Sequence, residues 1–268
     1  MKLGFIGMGA MGSAIARGAV ESGFVSPTDL VFTDMAAPGS NSLTQECDVV
    51  QLASNAELLA QCQNIVLAVK PKHLPGVLSE IEPLSGDQLV ISIAGGVPLE
   101  TLEAGLPASS AVIRVMPNIN AMVGEAMSAV CPGTNVTDAQ LQYALDLFSA
   151  VGRAIELEEP LFGAFTAIAG CAPAWTYAYA EALAKAGVAA GLTKSQASQA
   201  AAQMLAGSAK MLQRALDDGV HPAKLVDNVC SPGGSTVAGL LAGEQAGFSA
   251  ATVRMVQAAM EADARAAK

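Results

Sequence analysis

Short apolar segments alternate with helical stretches through the first half of the chain. Several of these segments, such as Asn64–Val69, are apolar nearly throughout, which is typical of strands buried on both faces of a parallel sheet. Such alternation indicates βαβ units and a doubly wound α/β fold. The predicted strands are Lys2–Gly7, Leu30–Thr33, Asp48–Leu52, Asn64–Val69, Gln88–Ala94, Ala111–Met116 and Ala126–Val130.

Helical patterns replace the strands after about residue 158. Pro173 interrupts the first of them and marks a kink or a helix start. The Thr193–Gln196 segment fits a capping box, and Pro222 suits the first turn of a short helix, which Ser231–Ser235 ends. The other predicted helical stretches are Leu161–Val188, Thr193 to about Leu216, and Ser249–Ala267. We therefore expect one domain over residues 1–157 and an all-helical domain over residues 158–268.

Composition and charge exclude several classes of partner. The 268 residues include 14 Lys and Arg against 24 Asp and Glu, a net charge of −10. An acidic surface does not suit nucleic acid or an anionic membrane. The most apolar long stretch, Phe162–Val188, contains Pro173, Glu181 and Lys185, so we expect no membrane span. Ala-rich helices with few charges favour a homodimer.

The cysteines and histidines indicate neither disulfides nor a metal. Five widely spaced Cys form no C-x-x-C motif, and the two His have no ligand cluster beside them. We expect a reduced, cytoplasmic protein without a metal site.

A glycine-rich segment follows the first predicted strand and opens a helix. In Gly7-Met-Gly9-Ala-Met-Gly12 the first glycine permits a tight turn, the second lets the backbone approach a pyrophosphate, and the third packs helix on strand. The anion would lie at the helix N-terminus, where N–H groups point outward. The dinucleotide-binding residues predicted here are Ile6, Gly7, Met8, Gly9, Ala10 and Met11.

Asp34 ends the second predicted strand, 22 residues after Gly12. A carboxylate there suits the ribose hydroxyls of NAD and repels the 2′-phosphate of NADP, and no Arg follows within the next dozen residues. The alternative is a solvated Asp in a turn. The pattern favours NADH slightly over NADPH.

Four motifs resemble the pyrroline-5-carboxylate reductase family. They are Gly4–Gly12, Ala68-Val-Lys-Pro71, Ile113-Arg-Val-Met-Pro-Asn118 and, most closely, His221–Thr236 with its Ser-Pro-Gly-Gly-Ser-Thr core. The similarity covers essentially the whole chain in order. It implies a Rossmann domain followed by an all-α dimerisation domain, assembled as dimers or rings of dimers. It also implies hydride transfer from NAD(P)H to the cyclic imine 1-pyrroline-5-carboxylate, which gives L-proline.

The resemblance also implies further coenzyme-binding residues. Asn55 matches a position near the adenine ribose, with a helix N-cap as its alternative role. Lys70 lies at a strand end that faces the dinucleotide crevice, or is a plain surface lysine. Asn228 matches an Asn near the coenzyme, or is a polar residue at a helix end. The remaining implied residues are Ala68, Val69, Pro71, Ala94, Gly95, Met116, Pro117 and Asn118.

The Ser231–Thr236 loop has the chemistry to hold a carboxylate. Its glycines leave backbone N–H groups unobstructed, and a row of such donors suits an anion. By the resemblance, the Thr236 hydroxyl meets the ring nitrogen and is the candidate proton donor or relay. The alternative is a connecting turn with Thr236 as a helix N-cap. The predicted substrate-binding residues are Ser231, Gly233, Gly234, Ser235 and Thr236.

One segment departs from the family pattern, and two other functions remain as alternatives. Ala169-Gly-Cys-Ala-Pro-Ala174 replaces a Ser-Gly-Ser-Gly-Pro-Ala-like stretch, so two hydroxyls are absent and Cys171 is a poor donor. This departure leaves a non-catalytic NAD(P)-sensing paralogue as one alternative. A β-hydroxyacid dehydrogenase is the other, although Thr166–Leu183 lacks the Lys which that chemistry uses.

Overall fold

The computed structural model describes residues 2–35, 42–81, 84, 85 and 87–266, and its central feature is an eight-stranded sheet. The strands are Leu3–Ile6 (β1), Leu30–Thr33 (β2), Val50–Gln51 (β3), Asn64–Leu67 (β4), Leu89–Ser92 (β5), Ala111–Met116 (β6), Ala126–Pro132 (β7) and Gly152–Glu156 (β8). Their order is β3-β2-β1-β4-β5-β6-β7-β8, and neighbours are parallel except for the β6–β7 pair. The predicted doubly wound, mainly parallel fold is confirmed.

Helices connect and follow the strands. Those within and directly after the sheet are Ala10–Glu21 (α1), Ser42–Glu46 (α2), Asn55–Gln61 (α3), Leu74–Glu80 (α4), Leu99–Ala104 (α5), Asp138–Ser149 (α6) and Phe162–Phe165 (α7). A π-helical segment, Thr166–Cys171, then leads to Ala172–Ala189 (α8), Lys194–Asp217 (α9), Pro222–Val229 (α10), Ser235–Gln245 (α11) and Phe248–Ala266 (α12). Short 3₁₀ helices lie at Pro27–Asp29, Pro71–His73, Ile119–Val123 and Glu159–Leu161.

Contacts divide the chain into two units. The sheet unit contains the residues up to Gly170 together with those from Met260 onward, and the helical unit is Cys171–Ala259. The connecting residues 158–170 thus have their contacts with the sheet unit.

The sheet unit has a hydrophobic core on each face of its sheet. On one face Phe5 and Phe32 pack with Ile15 of α1 and Phe148 of α6, and all four are fully buried. The other face buries a second cluster that includes Leu58 of α3. Burial of a side chain of this size contributes about 1.5–3 kcal/mol. Strands covered on both faces explain the continuous apolar segments in the sequence.

Each predicted strand has a counterpart, but β8 was not predicted. This edge strand reads Gly-Arg-Ala-Ile-Glu, and its residues are exposed or half-buried. It therefore lacks the continuous apolar pattern of the inner strands. Strand β3, predicted over Asp48–Leu52, has only two residues because it too lies at an edge.

The helices of the helical unit begin close to the positions that the sequence predicts. Pro173 is the second residue of α8, and Thr193 forms the predicted capping box with Gln196 at the start of α9. His221 caps α10 through Nδ1, which accepts the N–H of Ala223 at 3.2 Å. Helix α11 was not predicted, and the expected last residue of the final helix, Ala267, lies outside the described residues.

Candidate active site

The carboxyl ends of four parallel strands are level with one another. Ile6 at the end of β1 pairs with Thr33 of β2 and with Leu67 of β4, which pairs with Ser92 of β5. The chain leaves β1 towards β2 on one side and leaves β4 towards β5 on the other. Dinucleotides bind at such a switch point in doubly wound sheets.

The glycine-rich loop has the geometry that its three glycines predict. Gly7 has a φ of +93°, and its N–H donates to the Thr33 carbonyl at 2.8 Å. A Cβ on Gly12 would lie 2.7 Å from the Gly7 carbonyl oxygen, whereas a Cβ on Gly9 would meet nothing within 4 Å. Helix α1 begins at Ala10, directly after the uncovered Gly9. The backbone N–H groups of the first turn of α1 can thus bind an anion, because Gly9 has no side chain to cover them.

Several of the predicted coenzyme-binding residues can contact a coenzyme only through their backbone atoms. The side chains of Ile6, Met8 and Ala94 are 3%, 4% and 4% exposed, so they belong to the hydrophobic cores. Met11 is half-buried and packs on the same core.

Asp34 lies beside the loop and contacts it. Its Oδ2 accepts the backbone N–H of Met8 at 2.5 Å, and its carbonyl accepts from Nε2 of Gln51 at 3.4 Å. This contact replaces the solvated turn that was the alternative for Asp34. The acidic side chain therefore helps to hold the glycine-rich loop.

Asn55 connects two elements next to this corner. Its Oδ1 accepts the hydroxyl of Thr33 at 2.6 Å, and its Nδ2 donates to Glu80 at 2.5 Å. The N-cap alternative for Asn55 is wrong, because Ser54 caps α3 by accepting the N–H of Glu57. The serine is one residue closer to the strand, where the backbone is still extended.

The β4 and β5 ends contribute short connecting segments to the same edge. Ala68 and Val69 are half-buried, whereas Lys70 and Pro71 are exposed. Lys70 precedes the 3₁₀ helix Pro71–His73. Gly95 is exposed and has open space around its Cα, so the backbone there is accessible.

The end of β6 is fixed by Asn118. Its side chain is 6% exposed, its Nδ2 donates to the Ala169 carbonyl at 2.9 Å, and its Oδ1 accepts the N–H of Met127 at 3.2 Å. Both ends of the amide are thus engaged within the sheet unit. Met116 and Pro117, directly before it, are half-buried and buried.

The Ser-Pro-Gly-Gly turn connects α10 to α11 in the helical unit. Gly233 has a φ of +69°, and a Cβ on Gly234 would overlap Ser231 Oγ. The N–H of Gly234 donates to the Ser231 carbonyl at 3.0 Å, so this amide closes the turn. Gly234 is also the N-cap of α11. The sequence places both glycines where a side chain would distort the turn.

Thr236 is the second residue of α11 and is exposed. The N-cap alternative for Thr236 is therefore wrong, since Gly234 holds that position. The N–H groups of Ser235 and Thr236 belong to the first helical turn and have no acceptor within α11. Asn228, exposed near the end of α10, precedes the turn.

Arg114 is a half-buried cation that the sequence analysis missed. Its Nη1 lies 2.7 Å from Oε1 of Glu159, an oxygen that also accepts the N–H of Leu99 at 2.7 Å. Its guanidinium carbon lies 4.5 Å above the ring of Phe162. The signal was an arginine within the otherwise apolar β6 segment. This cluster ties the residues after β8 to the sheet.

The described part of the chain contains no group of three or more His, Cys, Asp or Glu residues placed to hold a metal ion. Over the same residues, no helix combines the length and the apolar content needed to cross a membrane.

Comparison with known proteins identifies the family. A family model for pyrroline-5-carboxylate reductase dimerisation matches residues 159–266, and one for coenzyme F420-dependent NADP oxidoreductases matches residues 2–96. The pyrroline-5-carboxylate reductase of Methanosarcina acetivorans is 41% identical over 97% of this chain and 96% of its own, and the Escherichia coli enzyme is 38% identical over 97% and 96%. The chain belongs to the pyrroline-5-carboxylate reductase family.

Solved structures of the family share the complete fold. A pyrroline-5-carboxylate reductase from Coxiella burnetii superposes with a TM-score of 0.93 at 27% identity, over 100% of this chain and 98% of its own. The Plasmodium falciparum pyrroline carboxylate reductase, solved with NADP bound, gives 0.86 at 33% identity, with the same two coverages. Family membership favours the reductase function over the two alternatives.

Proposed function

We propose that this protein transfers a hydride from NAD(P)H to the imine carbon of 1-pyrroline-5-carboxylate and so forms L-proline. The observation that carries the proposal is full-length identity of about 40% to named reductases, together with an intact Ser231–Thr236 turn. The hydride reduces the C=N bond, and the ring nitrogen keeps the proton that it carries as an iminium ion. The sheet unit then serves the coenzyme, and the helical unit serves the substrate and assembly.

The residues of the sheet unit fit a dinucleotide. Open space at Gly9 and the outward N–H groups of the first turn of α1 suit a pyrophosphate. The exposed backbone near Lys70 and Gly95 lies on the same sheet edge, as do Met116 and Pro117. Bound NAD(P)H supplies the hydride, and the protein supplies placement and electrostatics.

We further propose a preference for NADH. Asp34 places a carboxylate beside the glycine-rich loop, and Glu80 adds a second one, hydrogen-bonded to Asn55. A 2′-phosphate in this corner would be repelled by both charges. The relative from Plasmodium falciparum was solved with NADP bound, so the proposal rests on Asp34 and Glu80 of this chain and not on that relative.

The substrate carboxylate is proposed to bind the turn before α11. The N–H groups of Gly233, Ser235 and Thr236 are the proposed donors, because the Gly234 amide is engaged with Ser231. Charge-assisted hydrogen bonds of this kind contribute about 1.5–3 kcal/mol each. The Thr236 hydroxyl then orients the iminium ion by accepting its N–H, and it relays from solvent the further proton that the product amine takes up.

The helical unit supports assembly with a second copy. Its large apolar side chains remain exposed in one chain, and neither α10 nor α11 has a buried residue. Among the exposed residues are Tyr177, Met211, Val229, Leu241 and Phe248. Exposed apolar side chains in this number are typical of a surface that a partner covers. We propose a homodimer, which can associate further into rings, in a cytoplasm that keeps the five free cysteines reduced.

A direct assay tests the proposed function. The purified protein is mixed with 1-pyrroline-5-carboxylate and either NADH or NADPH, and the loss of nicotinamide absorbance is followed. We expect turnover with both and a higher kcat/KM with NADH. Turnover only with short hydroxyacids and NAD would show the dehydrogenase alternative, and coenzyme binding without any turnover would show a sensor.

A further inference from the structure

Asn118 contacts a carbonyl whose usual α-helical donor is missing. The carbonyl of Ala169 belongs to the π-helical segment before α8, and Nδ2 of Asn118 donates to it at 2.9 Å. In a regular α-helix this carbonyl would accept the N–H of residue 173. Residue 173 is a proline, which has no N–H. The asparagine therefore supplies the donor that Pro173 lacks.

The other end of the same amide holds the start of β7. Oδ1 of Asn118 accepts the N–H of Met127, the second residue of that strand, at 3.2 Å. The side chain is 6% exposed, so neither bond is easily replaced by water. A Cβ built on Gly170 would lie 3.4 Å from the terminal methyl of Met116, so Met116 also lies against the π-helical segment.

We infer that Asn118 is a positioning residue of the reduction, paired with Pro173. The inference rests on the proposed function, in which Met116 and Pro117 flank the nicotinamide. π-helical turns are frequent at functional sites, and this one contains the first half of the segment 169–174, which departs from the family pattern. The amide fixes the coenzyme-side loop to that segment, and it donates to the carbonyl that Pro173 cannot serve.

The pairing can be tested with two single variants, their two combinations with Pro173→Ala, and one matched control. Asn118→Ala removes both hydrogen bonds, whereas Asn118→Asp keeps an acceptor for Met127, replaces the donor to Ala169 by an oxygen and adds a negative charge. Pro173→Ala, added to either variant, restores an N–H that can reach the Ala169 carbonyl. Asn135→Ala is the control, because the exposed Asn135 amide also donates to carbonyls, those of Ala108 at 2.8 Å and Ser110 at 3.3 Å.

Steady-state kinetics supply the first measurement. For Asn118→Ala we expect the coenzyme KM to rise and kcat to fall, so that kcat/KM is about tenfold lower. The free-energy cost of leaving a buried carbonyl without a donor is of the size that a tenfold change corresponds to. The control should stay within about twofold of wild type. Adding Pro173→Ala should restore most of the loss. Wild-type kinetics in Asn118→Ala, or no recovery in the double variant, would overturn the inference.

Tryptophan emission supplies a second measurement that does not depend on turnover. The one Trp of the chain, Trp175, follows Cys171 by four residues and lies in the first part of α8. We expect Asn118→Ala to shift its emission, Asn135→Ala to leave it unchanged, and Pro173→Ala to reverse the shift. Inactive wild-type protein with these emission changes would refute the proposed function but not the pairing. If Asn118→Ala does not fold, Asn118→Asp with and without Pro173→Ala gives the same comparison.

Discussion

The carboxylate of Asp34 accepts the backbone N–H of Met8 at 2.5 Å, which ties the end of β2 to the glycine-rich loop after β1. The neighbouring Gly7 N–H is bound by the Thr33 carbonyl, so two successive amides of the loop are fixed by two successive residues. Asp34 therefore has two separable properties, a hydrogen-bond acceptor and a negative charge.

Substitutions at Asp34 should separate these two properties. Asp34→Asn keeps an oxygen for the Met8 N–H and removes the charge. We therefore expect the ratio of kcat/KM with NADH to kcat/KM with NADPH to fall, while KM for NADH changes little. Asp34→Ala also removes the acceptor, so KM for both coenzymes should rise about tenfold. The measurement is kcat/KM with NADH and NADPH for each variant. An unchanged ratio in Asp34→Asn would exclude the charge as a specificity determinant.

Thr236 provides the hydroxyl that we expect at the ring nitrogen. Thr236→Val keeps the shape of the side chain and removes the hydroxyl, so kcat should fall at least about tenfold, or about 1.4 kcal/mol of transition-state stabilisation. Thr236→Ser should recover much of this. The matched control is Thr252→Val in α12, whose hydroxyl donates only to the Phe248 carbonyl. Wild-type kcat in Thr236→Val would remove this residue from the chemistry.

Gly234 is required by the shape of the substrate turn. A Cβ at this position would overlap Ser231 Oγ, whereas a Cβ on Gly239, in the same helix, would meet nothing within 4 Å. We expect Gly234→Ala to distort the donors and raise KM for the imine about tenfold or more, with coenzyme KM nearly unchanged. Gly239→Ala should leave both constants as they are. A normal imine KM in Gly234→Ala would place the carboxylate elsewhere.

Elements with a strong local signal could be predicted from the sequence. The inner strands are apolar on both faces, and the three glycines of the first loop have a fixed spacing, so both followed from the pattern. The capping box at Thr193 is equally local. In the helical unit, Gly234 was correctly placed in a turn, but it is also the cap of α11. A glycine N-cap has no side-chain acceptor that a sequence pattern would reveal, whereas Thr236 carries a hydroxyl typical of N-caps.

Features that depend on distant partners could not be predicted. Strand β8 forms because β7 offers an edge, although its own sequence is polar enough for a loop. Asn118 and Ala169 are 51 residues apart, and Arg114 and Glu159 are 45 apart. Only the tertiary fold brings such pairs together. The one available sign was Arg114, a charged residue within the otherwise apolar β6.

Cys62 should make stability depend on pH in the alkaline range. Burial raises the pKa of its thiol from 9.0 to about 11, against a smaller lowering effect of Lys2. The unfolded chain therefore loses this proton first, and stability falls as pH rises from about 9 towards 11, with a limiting slope near 1.4 kcal/mol per pH unit. Urea unfolding at several pH values should show a shallower decline for Cys62→Ala. The half-buried Cys230 serves as the control in Cys230→Ala; equal slopes in both variants would assign the decline to other groups.

The half-buried Arg114–Glu159 pair should lose more stability when one charge is removed than when both are. The two side chains are 13% and 29% exposed, so either charge left alone lacks much of its hydration. Arg114→Met leaves Glu159 with only the Leu99 N–H, and we expect a loss of about 1–3 kcal/mol in the free energy of unfolding. Arg114→Met with Glu159→Gln removes both charges and keeps an acceptor for Leu99, so it should be more stable than Arg114→Met alone.

The measurement is a double-mutant cycle by urea unfolding. The exposed Lys194–Glu181 pair is the reference, and we expect its coupling free energy to be below about 1 kcal/mol. Equal coupling in the two cycles would mean that water reaches Arg114 as freely as it reaches the surface pair.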